Sequence, residues 1–248
     1  MNQSAERVAE LTGALAAVRN RIALAAEAAG RMGQEVTLLP VTKFFPASDA
    51  AILWKLGCRD FGESRAQEAA AKVVEFAALT GSAAPRWHMI GRIQRNKAKS
   101  IAGWADVVHS ADSPEVVTAL DAAVQRALDE GRREPPLRVF VQLSLDGDTA
   151  RGGVDIGDPS AVDRVCARVA EARALELVGL MAVAPLGADA DQAFAALAVE
   201  HRRVLREHPG ARQLSAGMSH DLEAAVRHGS TCVRVGAALL GQRPLTSP

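Results

Sequence analysis

The amino-acid sequence predicts an α/β protein, a single (β/α)8 TIM barrel with an extra N-terminal helix. Eight short β-rich segments alternate with helical segments along 248 residues, and this count and length are typical of such a barrel. The first segment, residues 36–43 (VTLLPVTK), is almost wholly apolar, as in a parallel strand covered on both faces. No linker rich in Pro, Gly or Ser interrupts the alternation. We therefore expect one domain over residues 1–248.

The predicted N-terminal helix covers residues 1–30 and packs on the barrel. Gly30 can adopt the left-handed conformation that ends many helices. The apolar residues before it recur at near-helical spacing. They are Val8, Leu11, Leu15, Val18, Ile22 and Leu24.

The eight predicted strands span residues 36–43, 59–62, 86–90, 106–109, 138–143, 177–183, 212–215 and 231–235. Capping residues mark helix starts between them. These are Ser48 with Asp49 for a helix ending at Gly57, Ser113 with Pro114 for one ending at Gly131, Asp158 with Pro159, and Ser219 for a short helix ending at Gly229. A doubly wound open sheet is the alternative, but it usually has about five or six strands, and no GxGxxG follows the first strand here.

Composition and charge exclude several functional classes. The chain has 29 basic and 29 acidic residues, so no overall charge favours nucleic acid or an anionic membrane. No run approaches the roughly 20 apolar residues of a membrane helix. Near the N-terminus, Glu6, Arg7, Glu10 and Arg19 stand where a signal peptide would need an apolar block. We expect a cytoplasmic protein that binds neither nucleic acid nor membranes.

Cysteine and histidine spacing indicates neither a disulfide framework nor a metal site. Cys58, Cys166 and Cys232 are far apart, and no histidine pair has ligand spacing. The chain also contains no tyrosine.

Lys43 ends the first predicted strand and is the first candidate site residue. In a barrel, the functional residues lie at and just after the carboxyl ends of the strands. Desolvation there would lower the pKa of a lysine toward that of a nucleophilic amine. The alternative interpretation is a lysine that reaches solvent past the strand end.

A second candidate is a phosphate site after the last two strands, in residues 214–219 (LSAGMS) and 235–241 (VGAALLG). Small residues and backbone N–H groups at helix starts suit a phosphate, and barrels frequently bind phosphate at this place. Ordinary turns and caps would give the same pattern.

Arg234 lies between Val233 and Val235 inside the eighth strand. A buried guanidinium needs an acceptor, which could be a carboxylate on a neighbouring strand or a ring nitrogen of a ligand. Two weaker features have structural explanations. His88 is interpreted as a hydrogen-bonded core histidine, and the basic cluster in residues 92–99 as a solvated helix face.

The ordered motifs of this chain resemble the YggS/PROSC family, the pyridoxal 5′-phosphate homeostasis proteins. The family's fold is similar to the N-terminal barrel of bacterial alanine racemase. The resemblance runs from about Leu38 to Gly241. Its motifs are VTKFFP, GCRDFGESRAQE, RWHMIGRIQRNK, VVHSADS, ARGGV, LVGLMAVAP, LSAGMSHDLEAA and GSTCVRVGAALLG.

The resemblance implies a role for each candidate residue. Lys43 would hold pyridoxal 5′-phosphate as an aldimine, and Arg234 would face the pyridine nitrogen. Met218 would lie near the ring. The phosphate would be held by Ser219 and by the backbone at Gly236 and Ala237.

Three positions depart from the family pattern. Where the family pattern reads RIGTAIFG, residues 234–241 of this chain read RVGAALLG. Ala237 therefore replaces a threonine, and a hydroxyl donor to the phosphate is missing. Ser64 replaces the asparagine of FGEN near the cofactor, and Arg92 replaces the histidine of IGH.

The resemblance and the residues together favour a protein that holds, buffers or delivers pyridoxal 5′-phosphate without robust catalysis. Most enzymes that use this cofactor keep an acidic partner on the ring nitrogen, and Arg234 cannot accept a proton. Racemisation needs a second acid/base group, which is a tyrosine in alanine racemase. In this chain, the conceivable second bases are His88 and Cys58. The alternatives are a racemase or lyase with Lys43 as its base, and a barrel acting on another phosphorylated metabolite. Apo enzymes that need the cofactor are the expected partners, and we expect a monomer.

Overall fold

A computed structural model describes residues 3–242, and residues 1, 2 and 243–248 of the predicted domain lie outside the described residues. The barrel strands are β1 (Thr37–Pro40), β2 (Asp60–Glu63), β3 (Arg86–Met89), β4 (Val107–Ala111), β5 (Leu137–Ser144), β7 (Leu175–Ala182), β8 (Gln213–Ser215) and β9 (Cys232–Val235). A short strand, β6 (Val154–Asp155), pairs with the end of β5.

Helices alternate with these strands. They are α1 (Gln3–Ala28), α2 (Ala47–Lys55), α3 (Ala66–Thr80), α4 (Ala98–Ala102), α5 (Pro114–Asp129), α6 (Pro159–Ala170), α7 (Ala190–Glu207), α8 (Leu222–Arg227) and α9 (Ala237–Leu240). Three-residue 3-10 helices lie at Gly33–Glu35, Arg95–Lys97 and Thr149–Arg151.

The barrel is parallel and nearly closed. Its strands follow the order β1-β9-β8-β7-β5-β4-β3-β2, and a parallel bridge between Val41 and Gly62 joins the two ends of that order. The Thr42 N–H donates to the Gly62 carbonyl over 3.0 Å at the same junction. The predicted TIM barrel with an N-terminal helix is confirmed, and each of the eight predicted strands overlaps an observed one.

Local sequence signals predicted the starts of α5 and α6. The predicted start of α2 at Ser48 and Asp49 is wrong by about one residue, because the helix begins at Ala47 after Pro46 and has no side-chain cap. The side chains of Ser113 and Asp158 accept hydrogen bonds from the first turns of α5 and α6, as the capping pattern predicts. The predicted start of α8 at Ser219 is wrong. The helix begins after Asp221, because the Ser219 side chain bonds instead to the first turn of α9.

Helix α1 packs against the barrel helices α2, α8 and α9. Its buried stripe is Leu11, Leu15, Val18, Ile22 and Ala26, whereas the predicted stripe members Val8 and Leu24 are exposed. The Arg7 guanidinium binds both carboxylate oxygens of the buried Asp49, with its shortest contact at 2.6 Å, and donates to the Leu240 carbonyl. This contact joins α1 to the ends of α2 and α9.

None of the helices within residues 3–242 combines the length and apolarity needed to cross a bilayer. Those residues also contain no cluster of three or more His, Cys, Asp or Glu side chains suited to a metal ion.

Candidate functional site

The predicted site residues come together at the carboxyl-terminal mouth of the barrel. Lys43 follows β1, Ser64 follows β2, Ser219 follows β8 and Gly236 follows β9. These four strands are consecutive around the barrel, in the order β2, β1, β9, β8. One sector of the mouth therefore carries the residues that the sequence analysis selected.

Lys43 is half-buried in a tight turn directly after β1. The turn is closed by the Phe45 N–H, which donates to the Thr42 carbonyl over 3.1 Å. Phe44 has a φ of 69°, a left-handed conformation that costs a non-glycine residue about 1–3 kcal/mol. The Lys43 ammonium lies 5.7 Å from the Phe44 ring centroid. The turn therefore places Lys43 beside Phe44, directly after the strand.

A buried polar cluster fixes the backbone just before Lys43. The Lys72 ammonium donates to the Thr42 carbonyl over 2.8 Å and to Glu63 Oε1 over 2.6 Å. The Thr42 hydroxyl donates to the same Glu63 oxygen over 2.6 Å. Burial raises the pKa of Glu63 against the lowering effect of Lys72. Sequence reasoning missed this cluster, because Lys72 lies on a helix whose packing only the fold reveals.

Ser219 and the start of α9 form a small group of polar donors. The Ala238 N–H donates to Ser219 Oγ over 3.2 Å. The first N–H groups of a helix have no acceptor within the helix, and those of Gly236 and Ala237 have no protein acceptor among the described residues. From α1, Arg21 donates to the Ser219 carbonyl over 3.0 Å. The Gly236 and Ala237 N–H groups are therefore available as hydrogen-bond donors beside Ser219.

Gly217 allows the chain to turn before Ser219. Its φ is 92°, and a Cβ there would lie 2.6 Å from the Ala225 Cβ, so only glycine fits. The Met218 N–H then donates to Asp221 Oδ1 over 2.5 Å. Met218 itself is 38% exposed at the mouth.

Ser64 lines a cavity of about 450 Å³ together with Arg92 and Lys97. A Cβ at Gly91 would lie 2.1 Å from the Ser64 carbonyl oxygen, which shows how closely the two loops approach. Arg92, one of the departures from the family pattern, is exposed and donates to the Ala150 carbonyl over 2.8 Å.

Arg234 is 4% exposed and points into the barrel. Its guanidinium donates to Ser215 Oγ over 2.6 Å and to the Ala182 carbonyl over 2.8 Å. Within residues 3–242 no carboxylate forms an ion pair with it, so the carboxylate alternative left open by the sequence is wrong. Burial lowers the pKa of this guanidinium.

His88 and Cys58, the conceivable second bases, lie toward the opposite mouth. His88 is buried and its Nε2 lies 3.0 Å from Asp60 Oδ1, so its interpretation as a hydrogen-bonded core histidine is confirmed. Cys58 precedes β2 and lines a cavity with Arg19 and Ile22 of α1, and burial raises the pKa of its thiol. Neither side chain is placed beside Lys43.

Comparison with known proteins agrees with this geometry. A family model described as "Alanine racemase, N-terminal domain" matches residues 14–244. A pyridoxal phosphate homeostasis protein of Mycobacterium leprae is 60% identical over 248 residues, which is 98% of this chain and 96% of the relative. The chain belongs to the pyridoxal phosphate homeostasis protein family.

Solved structures agree with this family membership. PipY of Synechococcus elongatus, determined with PLP bound, is 30% identical with a TM-score of 0.77, over 93% of this chain and 100% of PipY. An alanine racemase of Clostridium difficile has a TM-score of 0.67 at 15% identity, over 93% of this chain and 58% of the racemase. The racemase likeness is one of fold, and the resemblance inferred from the sequence motifs is confirmed.

Proposed function

We propose that this chain binds pyridoxal 5′-phosphate and holds, buffers or delivers it without robust catalysis. The observation that carries the proposal is Arg234, a buried guanidinium without an ion-pair partner in the described chain, at the same mouth as the Lys43 amine. Charged groups in a protein interior need hydrogen-bond partners, and a pyridine nitrogen would accept a further hydrogen bond beside those to Ser215 and the Ala182 carbonyl.

The donor set at the mouth fits the cofactor. Ser219 and the N–H groups of Gly236 and Ala237 would hold the phosphate, and Lys43 would hold the aldehyde carbon covalently. Met218 and Ser64 would lie beside the ring. When bound, this cofactor can supply an electron sink for amino-acid chemistry. PipY, a relative with a structure containing PLP, supports the assignment.

Two features of the chain favour binding over catalysis. A guanidinium facing the ring nitrogen cannot give it a proton as a carboxylic acid would, so the ring remains a weak electron sink. The chain has no tyrosine, and His88 bonds to Asp60 rather than facing Lys43. The competing function is a racemase or lyase with Lys43 as its base. Because the chain shares its fold with an alanine racemase, this function is tested as well.

We further propose a single-domain monomer of the cytoplasm whose partners are apo enzymes that need the cofactor. The alignment with the Mycobacterium leprae relative covers 98% of this chain and 96% of the relative. That near-complete overlap supports the same role for this chain as for its relative.

Borohydride reduction tests the site directly. The protein is incubated with pyridoxal 5′-phosphate, reduced and digested, and the modified peptide is identified by mass spectrometry. We expect attachment at Lys43 and none in Lys43→Ala, while the matched control Lys99→Ala, at an exposed lysine of α4, is labelled as the parent. Attachment at Lys97 or Lys99 alone would refute the site.

Solvent deuterium uptake at the α-carbon of L-alanine separates the two functions. We expect negligible uptake. Exchange that depends on Lys43 and reaches about 10 s⁻¹, an ordinary enzymatic rate, would assign the protein to the racemase class.

A further inference from the structure

A continuous chain of hydrogen bonds crosses the barrel interior and ends at Arg234. His88 Nε2 lies 3.0 Å from Asp60 Oδ1, and His88 Nδ1 lies 2.8 Å from His109 Nε2. His109 Nδ1 lies 2.9 Å from Ser215 Oγ, which accepts from Arg234. The chain therefore links five residues from five different strands.

With both imidazoles neutral, the direction of donation along this chain is set by its carboxylate end, because the Asp60 carboxylate only accepts. A guanidinium also only donates, so Ser215 Oγ accepts from Arg234, and a neutral His109 with its proton on Nε2 leaves Nδ1 to accept the Ser215 hydroxyl proton. His109 then carries its proton on Nε2 and donates it to His88 Nδ1. His88 in turn carries its proton on Nε2 and donates to the Asp60 carboxylate.

This direction requires both imidazoles to be neutral. A second proton on His88 Nδ1 would face the N–H of His109 across 2.8 Å, and two donors cannot share that contact. Burial lowers the pKa of both histidines, and the charge of Arg234 lowers that of His109 further.

Burial outweighs the charged groups that would favour a protonated His88. Asp60 and Asp106 raise the pKa of His88 and Arg86 lowers it, but the net direction is down because the ring is buried. Arg138 lowers the pKa of His109. Phe140 stacks on the His109 ring with centroids 4.4 Å apart. His109 is fully buried, so it has no access to solvent that could relieve a charge.

The two ends of the chain lie in different surroundings. Asp60 and His88 line a cavity of about 310 Å³ at the amino-terminal mouth, with Arg86 and Cys232. Arg86 binds both oxygens of Asp60, over 2.7 and 2.9 Å. The anionic end is thus anchored at the edge of the barrel, while the cationic end is buried near the proposed cofactor.

We propose that His109, supported by His88, is a positioning residue for Arg234. By accepting the Ser215 hydroxyl proton, His109 keeps the Ser215 oxygen available as an acceptor, and the guanidinium stays between Ser215 and the Ala182 carbonyl. The remaining guanidinium N–H groups are then presented to the carboxyl-terminal mouth. That they face the ring nitrogen of pyridoxal 5′-phosphate rests on the proposed function.

Nitrogen-15 NMR of the histidine side chains tests the chain in the protein without added cofactor. We expect His88 and His109 as neutral Nε2–H tautomers that do not titrate between about pH 5.5 and pH 8, where an ordinary histidine does. An imidazolium at neutral pH, or an Nδ1–H tautomer at either residue, overturns the proposal. This measurement needs no variant and is independent of cofactor binding.

Two isosteric replacements of His109 test its effect on Arg234. His109→Asn keeps an acceptor at the position of Nδ1, whereas His109→Gln keeps only a donor at the position of Nε2. We expect His109→Gln to bind pyridoxal 5′-phosphate about tenfold more weakly, the equivalent of one hydrogen bond to a charged group, and His109→Asn to stay within about twofold. The absorption of the bound cofactor should become pH-dependent only in His109→Gln.

Equal effects of the two replacements would assign His109 a purely structural role and refute the positioning. If either variant fails to fold, the NMR result on the parent protein decides. If the parent binds no cofactor, the proposed function fails while the tautomer measurement still stands.

Discussion

Replacing Ala237 by threonine should tighten the hold on pyridoxal 5′-phosphate by about tenfold. Ala237 is the first residue of α9 and is exposed, so a larger side chain meets no core atoms. The family pattern places a threonine hydroxyl at this position. The Ser219 hydroxyl lies beside this helix start, where its oxygen accepts from the Ala238 N–H. A threonine hydroxyl at position 237 would therefore add a second hydroxyl donor next to that of Ser219.

The magnitude follows from one added charge-assisted hydrogen bond. Such a bond is worth about 1.5–3 kcal/mol, and water competes for it at an exposed residue, so we take the lower end. A gain of about 1.5 kcal/mol corresponds to roughly a tenfold lower Kd. The lower helix propensity of threonine costs less than about 0.7 kcal/mol of stability.

Equilibrium titration of the cofactor by absorbance measures this effect in the parent and in Ala237→Thr. The matched control is Ala238→Thr, the next exposed residue of the same helix, which pays the same propensity cost. We expect the control to bind as the parent does. An unchanged Kd in Ala237→Thr, or equal tightening in both variants, would show that the side chain at 237 does not reach the phosphate.

Two further predictions concern stability and are read from urea unfolding. Gly179→Ala should lower the free energy of unfolding by about 3 kcal/mol or more, because its Cβ would lie 1.7 Å from the Gln213 carbonyl oxygen. The control Gly210→Ala has open space around it and should change that free energy by no more than about 0.5 kcal/mol. Similar losses in both variants would contradict the register of β7 and β8. The free energy of unfolding should fall as the pH drops below about 6.5, because burial lowers the pKa of His88 and His109 in the folded chain and only the unfolded chain takes up their protons. A further fall is expected between about pH 4 and pH 2, since burial of Asp60 is outweighed by hydrogen bonds from His88 and Arg86 that lower its pKa to about 2. A free energy of unfolding that stays constant from pH 7 to pH 3 would contradict this assignment.

Local signals were sufficient to predict the elements of the barrel. Apolar runs such as residues 36–43 mark buried parallel strands, and the capping serine and aspartate residues Ser113 and Asp158 bond as predicted. These signals act within a few residues of the chain, so they are readable without knowing the fold. They failed at Ser219. Its side chain accepts a hydrogen bond from the first turn of α9 and does not cap α8, because the two helix starts lie close together in the fold.

The candidate site was partly readable for the same reason. Lys43, Ser219 and Arg234 were selected because each stands in or just after a strand, and in a parallel barrel the carboxyl ends of all strands meet at one mouth. Ser64 was selected from the family motif alone. The family motifs added roles to these positions. Neither source indicated that Arg234 would donate to Ser215 and to the Ala182 carbonyl.

The sequence by itself determined the order of strands and helices, the lysine after the first strand and the family to which the chain belongs. Only the tertiary structure decided the partners of the buried polar groups. Asp60, His88, His109, Ser215 and Arg234 come from five separate strands, and their contacts depend on strand register and barrel closure. Hydrogen bonds act over about 3 Å, so a pairing between distant residues exists only once the barrel has set that distance.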